Sequence, residues 1–144
     1  MNISHLRFGT LLKVRKYQEK KAQQELSQIR NQKTKEEQTL SQLDERRNAE
    51  INGSDSVNKT SALDVQTSRA FIRSLTRDMQ MQQEKIKTIG QQETNKTGEV
   101  VERKQAKEMV ENLEDKYQAQ LAKEQDKKDQ RTMDILAQRA HNEK

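Results

Sequence analysis

The sequence predicts an all-α fold: two long helices folded back on each other as an antiparallel coiled-coil hairpin, with the C-terminal helix overhanging. Three observations carry this. First, hydrophobic residues make up 29% of the 144 residues and charged residues 35%, with two Phe, two Tyr and no Trp. That is too little apolar surface to enclose a three-dimensional core, but enough for a narrow seam. Second, there is no proline, so nothing forces a helix to break. The polar positions are mostly Gln, Glu, Lys and Arg, all good helix formers. A disordered chain of this polarity is rich in Pro, Gly and Ser instead. Third, leucines and isoleucines recur at heptad spacing.

Helix 1 reads from residue 5 to about 52. One seven-residue spacing runs through Leu12, Leu26 and Leu40 and another through Ala22, Ile29 and Leu43. Arg15, Glu19, Lys33, Glu36 and Arg47 share that seam, which makes it sparse. Residues 53 to 60, Gly-Ser-Asp-Ser-Val-Asn-Lys-Thr, are the clearest break. Gly53 suits the left-handed conformation that ends helices, and Ser, Asp and Asn favour turns. Ser61 or Thr60 can cap the next helix, with Asp64 completing the capping pattern.

Helix 2 reads from about 61 to about 140. Ile72, Leu75, Met79, Ile86 and Ile89 form a clean seam. Gly90, Asn95, Thr97 and Gly98 then make a soft point, at ~1 kcal/mol of lost propensity per glycine, but not a domain boundary. The seam resumes with Val100, Val110, Tyr117, Leu121 and Ile135. A single turn near residue 57 makes the helices antiparallel. It layers residues whose numbers add to about 115: Leu43 with Ile72, Leu40 with Leu75, Ile29 with Ile86, Leu26 with Ile89, and Glu19 with Lys96. Helix 1 is then used up opposite about residue 114. Residues 115 to 144 overhang by ~45 Å at 1.5 Å per residue. They carry Tyr117, Leu121, Met133, Ile135 and Leu136. Such a stripe is either a docking helix or a frayed tail. The whole chain, 1–144, reads as a single coiled-coil domain.

Charge and motifs exclude several classes of function. Residues 1 to 21 hold Arg7, Lys13, Arg15, Lys16, Lys20 and Lys21 against Glu19 alone, which accounts for the whole net charge of +5. A basic end of this kind fits an acidic protein surface. The basic and leucine stretches overlap rather than follow one another, unlike a basic zipper, so nucleic acid is not an expected partner. His5 and His141 stand alone at opposite ends of the sequence, short of the three or four convergent ligands zinc needs. No phosphate-binding glycine motif occurs. Carboxylates on a two-helix structure stay solvated and lack a concave pocket. The expectation is therefore no enzyme activity and no cofactor or metal. No apolar run approaches the ~20 residues of a membrane span, and no signal-peptide core follows the N-terminus. A cytoplasmic protein without direct membrane insertion is expected.

Three stretches resemble a known family. Residues 8 to 26, Phe-Gly-Thr-Leu-Leu-Lys-Val-Arg-Lys-Tyr-Gln-Glu-Lys-Lys-Ala-Gln-Gln-Glu-Leu, are similar to the opening of FliJ proteins of flagellar type III export. Residues 126 to 140, with Asp129-Gln130, Met133-Asp134 and Ala137-Gln-Arg-Ala140, resemble the family's closing stretch. Phe71-Ile-Arg-Ser-Leu75 resembles its central stretch, the start of the second helix. The resemblance implies a non-enzymatic stalk, similar to the γ stalk of rotary ATPases. It implies insertion of the joined terminal helices into the hexameric export ATPase. It also implies contact with the cytoplasmic domain of the membrane export gate, binding of export chaperones, and a peripheral place at the inner membrane. Carried onto this chain, Arg7, Phe8, Leu12, Lys13, Arg15, Met133, Gln138 and Arg139 are the ATPase-ring candidates. Gln38, Phe71 and Leu75 are the gate candidates, although the register makes Leu75 a seam residue facing Leu40. Glu45 and Ala49 stand near the places of the family's helix-1 tyrosines, and Asp78 and Gln82 replace its helix-2 Ala and His. The alternatives are the equivalent stalk of a virulence-type secretion system and a polyanion-binding coiled coil.

Overall fold

The structure is a computed structural model that describes residues 3–54 and 61–143, with side chains from 8 to 53 and from 61 to 143. Helix α1 spans Ile3–Ser54 and helix α2 spans Ala62–Asn142. No strand occurs among the described residues. The helices pack antiparallel. Going down α1, Glu50, Glu36 and Glu25 meet Ser68, Gln82 and Lys96 going up α2. The fold class is the hairpin that the sparse heptads call for. Contacts divide the chain into two units, one of Met1–Lys20 with Val101–Lys144 and one of Lys21–Val100.

Local chemistry explains where the helices run. The Ser61 hydroxyl accepts the Asp64 backbone N–H at 3.0 Å, the N-cap of α2, and Asp64 puts a negative charge in the first turn. Most of the turn expected at 53–60, from residue 55 onward, lies outside the described residues. Gly53 does not end α1. The helix continues through it to Ser54, and no glycine among the described residues takes a positive φ. Glycine permits the left-handed cap without requiring it.

The soft point in α2 does not interrupt the helix, which is continuous through Gly90 and Gly98. Threonine, a weak helix former, is accommodated by donating its hydroxyl to the carbonyl four residues back. Thr88 bonds Glu84, Thr94 bonds Gly90 and Thr97 bonds Glu93, at 3.1, 3.1 and 2.8 Å.

The core is a seam. In the unit of Lys21–Val100, Ala22, Leu26, Leu75, Met79 and Ile89 are buried, Ala22 most at 2% exposure, and Ser68 is a buried polar residue at 3%. In the other unit Val110 and Glu19 are buried, at 5% and 8%.

The register differs from the expected one. Cross-helix pairs add to 118 at Glu50–Ser68 and to 126 at Glu19–Lys107, not to about 115. The offset of Glu50–Ser68 and Glu36–Gln82, carried along the seam, brings Leu43 level with Leu75, Leu40 with Met79 and Ile29 with Ile89. Each leucine or isoleucine has moved about one turn along α2. Apolar residues recur every three to four positions on both helices, so their pattern tolerates a one-turn shift. The expected Glu19–Lys96 layer is replaced: Lys96 takes Glu25, and Lys107 takes Glu19. Near the start of α1 the offset is larger, at 126 for Glu19–Lys107, and the start of the overhang moves with it. Tyr117 and Leu121 remain half-buried, and from Ala122 to Glu143 every residue is exposed. The overhang therefore begins near 122 rather than 115.

Candidate protein interface

Ion pairs and side-chain hydrogen bonds cross the seam beside its apolar contacts. Lys107 Nζ lies 2.7 Å from the Glu19 carboxylate. Lys96 Nζ bridges Glu25 at 2.6 Å and Glu99 at 2.7 Å. Glu93 receives Lys33 at 3.1 Å and Arg30 at 3.4 Å. Glu36 receives Lys85 at 2.9 Å and the side-chain amide of Gln82, which also donates to the Glu36 carbonyl at 2.9 Å. Ser68 donates to Glu50 at 2.7 Å.

These bonds favour the charged forms. Donation from Lys96 lowers the pKa of Glu25, donation from Gln82 and Lys85 lowers that of Glu36, and donation from Lys33 lowers that of Glu93. The bonds to Glu25 and Glu99 raise Lys96, and the bond to Glu19 raises Lys107.

The terminal candidates divide by burial. The Arg7 side chain lies outside the described residues. Phe8 and Leu12 are half-buried, and the Phe8 ring sits 5.7 Å from that of Tyr117, tilted by 47°. Phe8 is thereby tied to α2 just before the overhang. Arg15 is half-buried, donates to Gln18 at 3.2 Å and keeps its Nε unpartnered. Lys13 is exposed. On the overhang Gln138 and Arg139 are exposed, as are Met133 at 67%, Ile135 at 51% and Leu136 at 54%. Large apolar side chains this open along one stretch of helix are unusual for a surface that meets only water.

The gate candidates do not form one cluster. Gln38 is exposed, Phe71 is 48% exposed and Leu75 is 5% exposed. The observed offset puts Gln38 level with about residue 81, roughly 15 Å along α2 from Phe71. Leu75 is a packing residue of the seam. A shallow groove on α2 is lined by Gln66, Arg69, Ile72 and Arg73, and Phe71, two residues from each arginine, faces another side of the helix.

One surface escaped the sequence reading. Leu11 and Val14 on α1 are 39% and 45% exposed, and Met109 and Leu113 on α2 are 65% and 47% exposed. Each precedes a seam position by one residue. In an antiparallel pair those positions face the same flank of the hairpin. Met109 and Leu113 line a shallow groove with Gln105, Glu108, Asn112 and Lys116. The signal was present as apolar residues adjoining the heptad positions.

Among the described residues no three His, Cys, Asp or Glu side chains group to hold a metal ion. None of the described helices is long and apolar enough to cross a membrane.

The family model described as flagellar FliJ protein matches residues 4–144. The chain belongs to the FliJ family. FliJ is a non-catalytic stalk and escort family, and membership makes this a flagellar export-related protein of the coiled-coil type. No curated protein and no solved structure matches the chain. The match covers both ends of the FliJ hairpin, including the exposed overhang and the basic first turns of α1.

Proposed function

We propose that this FliJ chain is the stalk of the flagellar type III export apparatus. In this reading the basic turns of α1 and the projecting end of α2 enter the ring of the hexameric export ATPase. The middle of the hairpin meets the cytoplasmic domain of the export gate, and other faces receive export chaperones. The protein then sits in the cytoplasm, peripheral at the inner membrane through these partners.

The single observation that supports it most is the overhang. Residues 122–142 are helical and every residue from 122 to 143 is exposed, and they carry Met133, Ile135 and Leu136 in a family whose match runs to residue 144. An apolar stripe on a projecting helix fits a groove or a ring lumen. The exposed lysines Lys13 and Lys16 add positive charge that suits an acidic collar. Phe71, a half-exposed aromatic ring, is the gate-facing element that this reading favours. Leu75 is left out of that contact because it is buried.

The test is a pull-down of the full chain against the ATPase, the cytoplasmic domain of the gate and the chaperones of one flagellar system. The expected result is retention of the ATPase, weakened at low salt by Lys13→Glu with Lys16→Glu while helicity is kept. Retention of none of these components overturns the stalk reading. Unchanged ATPase binding by the double reversal removes the basic turns from it.

A further inference from the structure

We infer that one flank of the hairpin, in the unit that holds the start of α1, is a self-association face on which a second copy of the chain packs as a weak, reversible dimer. The two flanks of this unit differ in kind. The residue just before each seam position lies on one flank and the residue just after it on the other. That the preceding residues of both helices share a flank is visible in the other unit. There Glu25 and Glu99, each one place before a seam residue, meet on Lys96. In the unit of Met1–Lys20 with Val101–Lys144, the preceding residues are Leu11, Val14 and Gln18 on α1 and Ala106, Met109 and Leu113 on α2. None of these six is charged. The following residues are Lys13, Lys16 and Lys20 on α1 and Glu108, Glu111 and Asp115 on α2. All of these are charged. With charge on 35% of the chain, a hairpin wetted alike on both flanks has no need of so complete a sorting. Loss of charge together with exposed Leu, Val and Met is the composition of an interface core.

The chemistry of the face selects its occupant. A charge brought onto it by a partner would lose water and gain no counter-charge, so the partner must offer an uncharged surface. A second copy offers one of matching pattern. The three positions on each helix keep the same three- and four-residue spacing, so a two-fold axis lays five apolar side chains and one amide on the same set of the other copy. The area limits the strength. Leu11 to Gln18 spans about 10 Å and the helix pair is about 20 Å wide, roughly 200 Å² per copy against the ~800 Å² per partner of a stable complex. The dimer is therefore weak, and the free chain dominates when dilute. The lysines proposed to meet the ATPase lie on the opposite flank, so the inference does not rest on the stalk reading.

Sedimentation equilibrium of the full chain, from about 10 µM to about 1 mM, tests this. The mass should rise from 16.9 kDa toward twice that value at the upper end. The rise should persist in about 1 M salt, where exposed charges are screened beyond ~3 Å. Val14→Lys with Leu113→Lys puts charge on the face and should hold the mass at 16.9 kDa at every concentration. Helicity should be kept, because both side chains are exposed. Glu111→Gln with Asp115→Asn, on the opposite flank, should associate as the parent does. A mass of 16.9 kDa throughout in the parent overturns the inference. So does association that survives the two lysines, or that salt or the opposite-flank variant abolishes, since another surface then carries it. Should the lysine variant lose helicity, Met109→Lys, at the most exposed position of the face, decides by the same two outcomes.

Discussion

Gly90 and Gly98 offer a direct probe of whether α2 is one helix. Neither has a positive φ, and a Cβ built on either meets nothing within 4 Å. Alanine at these positions therefore costs no strain and no clash. It removes backbone freedom from the unfolded chain and raises helix propensity by about 1 kcal/mol per site. The two sites are eight residues apart, about 12 Å along the helix, far enough for their effects to add. Gly90→Ala with Gly98→Ala should then stabilise by about 1–2 kcal/mol. For a chain of this size that raises the thermal midpoint by about 4–8 °C. Thermal and urea unfolding followed by far-UV circular dichroism would measure it, and each single variant should give about half. An unchanged or lowered midpoint would refute the reasoning, because it would mean that residues 90–98 are not helical in solution or that the added methyls meet an obstacle.

Other outcomes follow from the same geometry. Leu26→Asp puts a charge where the side chain is 7% exposed and should destabilise by about 3 kcal/mol, with a parent-like melt showing that Leu26 is not on the seam. Glu25, Glu36 and Glu93 have lowered pKa values in the fold, so their contribution is present above the ordinary carboxylate value of 4.5 and is lost as pH falls through their folded values. Lys96 and Lys107 are raised, so theirs holds below 10.5 and fades above it. Stability measured across pH should be flat in between and fall on the acid side, and an acid limb unchanged in the triple Glu→Gln variant would contradict this. Met133→Ser, Ile135→Ser and Leu136→Ser together should leave the melt within about 0.5 kcal/mol of the parent while weakening capture of the ATPase, since these side chains are exposed.

The hairpin was legible because its causes are local and repeated. Absent proline, helix-forming polar residues and the seam through Leu26, Leu75, Met79 and Ile89 all point to paired helices. The Ser61 cap was equally visible, since capping needs only a hydroxyl three residues before Asp64. The stagger was not legible from leucines. They recur every turn, and the cross-helix ion pairs reach along the helices on long side chains, as Lys107 does to Glu19. The start of the overhang inherited that error. Gly53 misled because glycine permits a left-handed cap and the helix did not use it. The candidate surface was half legible. Met133, Ile135 and Leu136 stood out as apolar residues beyond the expected end of α1. Leu11, Val14, Met109 and Leu113 adjoin the heptad positions and were not read as a surface.

A free peptide the length of residues 122–143 would be a marginal helix in water, because the first turn is costly to nucleate. Here no nucleation is needed, since this segment grows from turns of α2 already ordered against α1, and Phe8 clasps Tyr117 just before it leaves. The hairpin thus acts as a template that keeps the solvent-exposed end wound before any partner arrives. A partner that grips it has little chain entropy left to overcome, unlike one that must fold a disordered segment as it binds.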